Sequence, residues 1–167
     1  METPARLTVD LGRLDGGTHA RLRGELARAL LELEDLEQIR PAGGLVYDLA
    51  GELLPEDEFL VRGSLALPCQ CICARCGGDF DATFEVRDYC EAFPVAGLER
   101  LDLTESVREC IILALPSYPV CKEDCQGLCP HCGQNLNEAP CRCSAEEGAN
   151  PFAALDRLAP LGSTRHQ

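Results

Sequence analysis

Tryptophan is absent from this sequence, methionine occurs once, and the aromatics come to 5 phenylalanines and 3 tyrosines among 167 residues. The 46% hydrophobic fraction still permits a core, but one built from leucine, valine and alanine. Long apolar runs are missing as well. The longest, Cys110 to Leu115, falls far short of the ~20 residues a membrane span requires. The opening METPARLTVDLGRLDGG has no apolar centre and no small-residue cleavage site, so a secretion signal is not expected there. A cytoplasmic location is the expectation, and thiols stay reduced in that compartment. Basic charge is short too: 15 Lys and Arg stand against 28 Asp and Glu, for a net charge of −13. That balance argues against broad binding of nucleic acid through its phosphates and favours a basic partner, with simple solubility the plain alternative. A scattered set, Arg6, Arg13, Arg21, Arg23 and Arg28, is the nearest thing to a basic patch, and Glu25 dilutes it.

Signatures of catalysis are also lacking. The 3 histidines, His19, His131 and His166, form no spaced set with the cysteine pairs. The H-x-E half of the zinc deaminase pattern does not occur, and neither does a P-loop, G-x-S-x-G or G-x-G-x-x-G. The expectation is a non-enzyme, without catalytic residues and without a small-molecule substrate.

Cysteine is what the chain has in excess, 12 in all. Six of them crowd the stretch from Cys121 to Cys143, C-K-E-D-C-Q-G-L-C-P-H-C-G-Q-N-L-N-E-A-P-C-R-C. Catalysis has no use for so many thiols, whereas Zn²⁺ takes four soft ligands in a tetrahedron and prefers thiolate. Cys129 and Cys132 have the C-x₂-C spacing of a knuckle, and Gly133 after them permits the positive φ that turns backbone N–H groups toward sulfur. With Cys141 and Cys143 they make a local four-sulfur site. Cys121 and Cys125 then need partners, and Cys73 and Cys76 in C-A-R-C are the candidates for a second, long-range site. A single zinc held by four of the six tail cysteines is the competing arrangement, and disulfides are the non-metal alternative. All-cysteine sites without a vacant corner are structural. His131, inside a C-x₂-C loop, reads as a solvated side chain. Cys90 and Cys110 lack partners at metal spacing and read as small core residues, whereas Cys69 and Cys71 fit either core or spare ligands.

Along the chain, Leu7 to Leu11 alternates as a strand. From Thr18 to about Leu36, the spacing of Leu22, Leu26, Leu30 and Leu33 predicts an amphipathic helix. Strands are predicted over 45–53, 59–72 and 79–93, with the C-A-R-C pair at the turn between the last two. Phe80, Ala82, Phe84, Val86 and Asp88 share one phase. Asp102 and Glu105 suggest a capping box opening a helix to about Leu115, with Leu103, Val107, Cys110, Ile111 and Ala114 inward. Pro151 to Leu158 reads as a short helix with Phe152, Leu155 and Leu158 on one face, and GSTRHQ as an unstructured end. The expected fold class is α+β, mostly antiparallel sheet with a few helices and a cysteine-rich zinc-binding module toward the C-terminus. It divides into a strand and helix over 1–44, a sheet-and-helix core over 45–116, the module over 117–145, and a short helix with its tail over 146–167.

Four blocks in order carry a resemblance: C-A-R-C, the helix segment Asp102 to Pro116, C-x₃-C-x-G-L-C-P-x-C-G-x-N-L-N, and N-P-F-A-A-L-x-x-L. Together, over roughly Leu60 to Leu158, they resemble the YceD family of large ribosomal RNA subunit accumulation proteins. The resemblance implies a bacterial, cytoplasmic factor needed for normal levels of large-subunit ribosomal RNA, acting in processing or ribosome assembly. Its partner would be a large-subunit precursor, met through a ribosomal protein or through the RNA. A direct RNA-binding zinc module using Arg75 and Arg142, and a zinc- or redox-sensing regulator, are the alternatives.

Overall fold

The computed structural model describes residues 6–14, 17–33 and 36–143. The expected C-terminal helix and tail lie outside the described residues. Seven strands and one α-helix follow in order: β1 (Thr8–Asp10), β2 (His19–Leu26), β3 (Ile39–Pro41), β4 (Leu45–Leu54), β5 (Glu58–Ile72), β6 (Asp79–Pro94), β7 (Arg100–Asp102) and α1 (Thr104–Ala114). Short 3₁₀ turns occupy Leu11–Arg13 and Arg28–Leu30. The fold is thus mostly antiparallel sheet with one α-helix among the described residues.

β5 is the spine. β6 pairs with it along one edge from Glu58 to Ile72. The other edge is shared: β4 takes Glu58 to Ala66 and β3 takes Cys69 to Cys71, with Ala42 N–H donating to Pro68 O at 2.8 Å between them. β2 closes the far side through β4. Odd-numbered residues of β4 and β5 point inward, so Leu45, Leu49, Phe59, Val61, Leu65 and Leu67 are buried. α1 lays Leu103, Val107 and Ile111 over β5 and β6. Each such side chain contributes about 1.5–3 kcal/mol by leaving water. β1 and β7 form a separate ladder, and Leu7 N–H donates to Thr104 Oγ1 at 2.9 Å, tying the first strand to the start of the helix.

Three expectations are corrected. The helix predicted from Thr18 to Leu36 is instead β2 followed by a 3₁₀ turn. Leu22 and Leu26 satisfy a period of two as well as one near four. Pairing with the free edge of β4, Leu22 opposite Leu49 and Leu26 opposite Leu45, decides between the two. The capping box is not formed. Asp102 Oδ1 accepts from Thr104 N–H at 2.9 Å, but Glu105 pairs with Arg108 at 2.8 Å, because the helix begins two residues later than Asp102. Ala114 is exposed and Cys110 half-buried, at the flank of the inward stripe.

Cys90 is the third. It is exposed, and a β-bulge explains why. Gly63 pairs with Tyr89 but Leu65 pairs with Val86, so Arg87 and Asp88 together oppose Ser64. The extra residue reverses the phase of β6. Phe80 to Val86 face the core on even numbers, and beyond the bulge Tyr89 turns inward in place of Cys90. A Cβ on Gly63 would sit 2.1 Å from Asp48 O, so only glycine allows β4 this close to the bulge. The Tyr89 hydroxyl lies 2.6 Å from Ser106 Oγ, and Ser106 donates to Glu91, joining helix to sheet.

Candidate metal centres

The β5–β6 turn carries Cys73-Ala74-Arg75-Cys76 and then Gly77. Cys73 N–H donates to Gly78 O at 2.8 Å, and Gly77 N–H donates back to Cys73 O at 2.8 Å, with Gly77 at φ +68°. Far along the chain the same backbone is built again. Cys129 N–H donates to Gln134 O at 2.8 Å, and Gly133 N–H donates to Cys129 O at 2.9 Å, with Gly133 at φ +73°. Both turns therefore present two sulfurs on the same side of a loop closed by a left-handed glycine.

Each knuckle meets a second cysteine pair. Cys73, Cys76, Cys121 and Cys125 bring their Sγ atoms within 4.8 Å of one another, and so do Cys129, Cys132, Cys141 and Cys143. Individual separations are 3.8 Å for Cys73–Cys125, 3.9 Å for Cys76–Cys121 and 3.4 Å for Cys129–Cys141. A regular tetrahedron with metal–sulfur bonds of ~2.3 Å has edges of ~3.8 Å. These clusters fit one, and a disulfide of ~2.05 Å is far shorter. Two groups of four cysteines that could each hold a metal ion thus stand on the predicted partition of ligands. Cys69 and Cys71, each 1% exposed, belong to the core instead. His131 is exposed and stands in neither cluster.

The tail is drawn to the first knuckle by its backbone and by Arg75. Ala74 N–H donates to Pro119 O at 2.8 Å, and Cys121 N–H points at Cys73 Sγ at 3.4 Å. The Arg75 guanidinium donates to the carbonyls of Glu123 at 3.0 Å and Cys125 at 3.4 Å. Its own carbonyl accepts from Leu128 N–H at 3.2 Å, linking the second knuckle to the first. Asn137 accepts from Gln126 N–H at 2.9 Å and donates to Cys125 Sγ. Neither Arg75 nor Asn137 was identified from sequence as a supporting residue. The only signal was their place inside the C-A-R-C and N-L-N blocks.

Electrostatics separate the members of each cluster. Burial acts to raise the Cys73 thiol, but amide donors from Cys121, Cys76 and Arg75 outweigh it and bring it to about 6. The amides of Cys132 and His131 bring Cys129 to about 6. Beside them a second thiolate is disfavoured. Cys121, through desolvation and its sulfur neighbours, is pushed up to about 12, as is Cys143, chiefly by Cys132. Four thiols so arranged lose all their protons only to a cation that replaces them. The clusters also differ in exposure: Cys73 and Cys125 are buried, whereas Cys132 and Cys143 are exposed.

A family model described as "Large ribosomal RNA subunit accumulation protein YceD" matches residues 87–159. Uncharacterized proteins of Mycobacterium bovis and Mycobacterium tuberculosis are each 31% identical over 160 residues, covering 80% of this chain and 72% of their own length. A maize protein named "Large ribosomal RNA subunit accumulation protein YCED homolog 1, chloroplastic" is 29% identical over 169 residues, 92% of this chain and 54% of its own. No solved structure matches. The paired knuckles fall on the blocks that suggested the resemblance, the relatives extend the likeness along most of the chain, and the chain belongs to the YceD family.

Proposed function

We propose that this protein is a non-enzymatic factor for the accumulation of large-subunit ribosomal RNA, with two structural zinc ions holding its tail as a docking platform. The observation that carries this reading is the pair of four-sulfur clusters in a chain of the YceD family. Four thiolates fill a zinc tetrahedron, so the ion would supply cross-linking and not a reactive corner. Cys73, Cys76, Cys121 and Cys125 would hold one ion, and Cys129, Cys132, Cys141 and Cys143 the other. The setting is the bacterial cytoplasm. No helix among the described residues is long and apolar enough to cross a membrane.

The net charge of −13 favours a basic partner, such as a ribosomal protein on a large-subunit precursor, over bare phosphate backbone. The test is sedimentation of tagged protein from cell extract, with the co-migrating particles identified and large-subunit RNA measured after depletion. Co-migration with large-subunit precursors and a fall in that RNA are expected. Protein that stays at the top of the gradient, with RNA levels unchanged, would sink the reading. Binding to purified large-subunit RNA that weakens steeply with salt would transfer the contact from protein to phosphate.

A further inference from the structure

The last turn of α1 and the chain leaving it form one wall of an apolar groove of about 380 Å³. Ile112, Leu115, Pro116 and Tyr118 line this wall, and Leu36 and Ile39 the other. The surface is strongly apolar for one facing water. Tyr118 is 78% exposed, and Leu113 beside it is 86% exposed. Pro119, next in the chain, is bonded to Ala74 of the first knuckle, and Leu128 of the second is bonded to Arg75. Groove and clusters therefore share one end of the molecule.

The chain continues from this end. Beyond Cys143, residues 144–150 can span roughly 25 Å when extended, and then comes Pro-Phe-Ala-Ala-Leu-Asp-Arg-Leu. Phe152, Leu155 and Leu158 recur at every third position, one stripe of a helix. A helix this short is marginal in water and needs an apolar surface to form. The family match runs to residue 159, across this segment.

We propose that residues 151–158 dock as a helix in the groove of their own chain, Phe152, Leu155 and Leu158 facing Ile112, Leu115 and Tyr118. Tethering places the segment at millimolar effective concentration. A second copy of a chain charged −13 would meet repulsion instead. The docked helix would clasp the metal module between α1 and the C-terminus.

The test uses full-length, zinc-loaded protein carrying the photocrosslinker p-benzoylphenylalanine in place of Tyr118. Irradiation is expected to give a cross-link within one chain, to the tryptic peptide Cys143–Arg157 or Leu158–Arg165. Leu155→Glu should cut its yield about tenfold. The same photocrosslinker in place of Thr83, exposed on β6, should give no such product. A covalent dimer would assign the groove to a second copy, and cross-links in cells to another protein would assign it to a partner. Either result overturns the proposal, as does a Tyr118 probe that links to nothing. Amide exchange supplies the second reading. Residues 112–118 should exchange about tenfold faster in Leu155→Glu, and unchanged rates overturn the proposal.

Discussion

Asn137 donates a side-chain N–H to Cys125 Sγ at 3.4 Å, so a residue from the turn after the second knuckle supports a sulfur of the first cluster. Burial acts to raise the Cys125 thiol, but this donor and the Gly127 amide together bring it below the ordinary range. Asn137→Ala should therefore lower zinc affinity at the first cluster by about 10–100-fold, the usual cost of losing an outer-shell donor. Competition against a chromophoric chelator measures it. Full retention of both ions at all chelator concentrations would show that Asn137 merely shapes the turn.

The clusters should empty in sequence. Cys132 and Cys143 are exposed, whereas Cys73 and Cys125 are buried, so a chelator reaches the second cluster first. Stopped-flow release of zinc should show a fast and a slow phase. Cys129→Ser should remove the fast phase, lower zinc content and loosen residues 121–143, with the strands upstream intact. Unchanged zinc content in that variant would refute the ligand assignment.

Alkali should destabilise the core through Cys69. Burial, with Cys71 adding to it, raises this thiol from 9.0 to about 11. A group whose folded value lies above its unfolded one stabilises the fold fully at low pH and loses that contribution as pH rises. The loss here begins near 9 and is complete beyond 11, a difference of at most roughly 2–3 kcal/mol. Thermal melts of zinc-loaded protein between those limits should show a falling Tm. Cys69→Ala should flatten that slope while lowering the starting Tm through the cavity it leaves. Parallel slopes in the two proteins would exonerate Cys69.

Two glycine replacements should separate bulge from knuckle. Gly63→Ala puts a Cβ 2.1 Å from Asp48 O and should cost roughly 3 kcal/mol or more. Gly78→Ala meets only Cys76 Sγ at 3.6 Å, an ordinary contact, and should fall within about 1 kcal/mol of the parent. Chemical denaturation compares them. Equal midpoints would mean that the bulge relaxes without strain.

Much of this was legible in advance where chemistry is local. C-x₂-C followed by glycine names a knuckle from five residues, and the long run from Glu58 to Ile72 alternates openly. The misses share a cause, which is that the deciding contact lies elsewhere in the chain. Whether Leu22 and Leu26 belong to a helix or a strand depends on Leu49 and Leu45 across the ladder. Whether Cys90 faces in or out depends on two residues opposing Ser64. Arg75 looked like a candidate for nucleic acid, yet its guanidinium binds carbonyls some fifty positions away, at a separation of 50 residues for Cys125.

The two knuckles are built alike but enlist their partners over different reaches: Cys129 and Cys141 are 12 positions apart, Cys73 and Cys125 are 52. Loop entropy favours the shorter closure by only roughly 1.3 kcal/mol, so distance alone hardly ranks them. What ranks them is prerequisite. One centre can assemble from a fragment emerging alone, while the other waits until hairpin, helix and tail have all found their places. Metal count is thereby a proofreader of maturity: one ion for a chain still sorting its strands, two for a finished one.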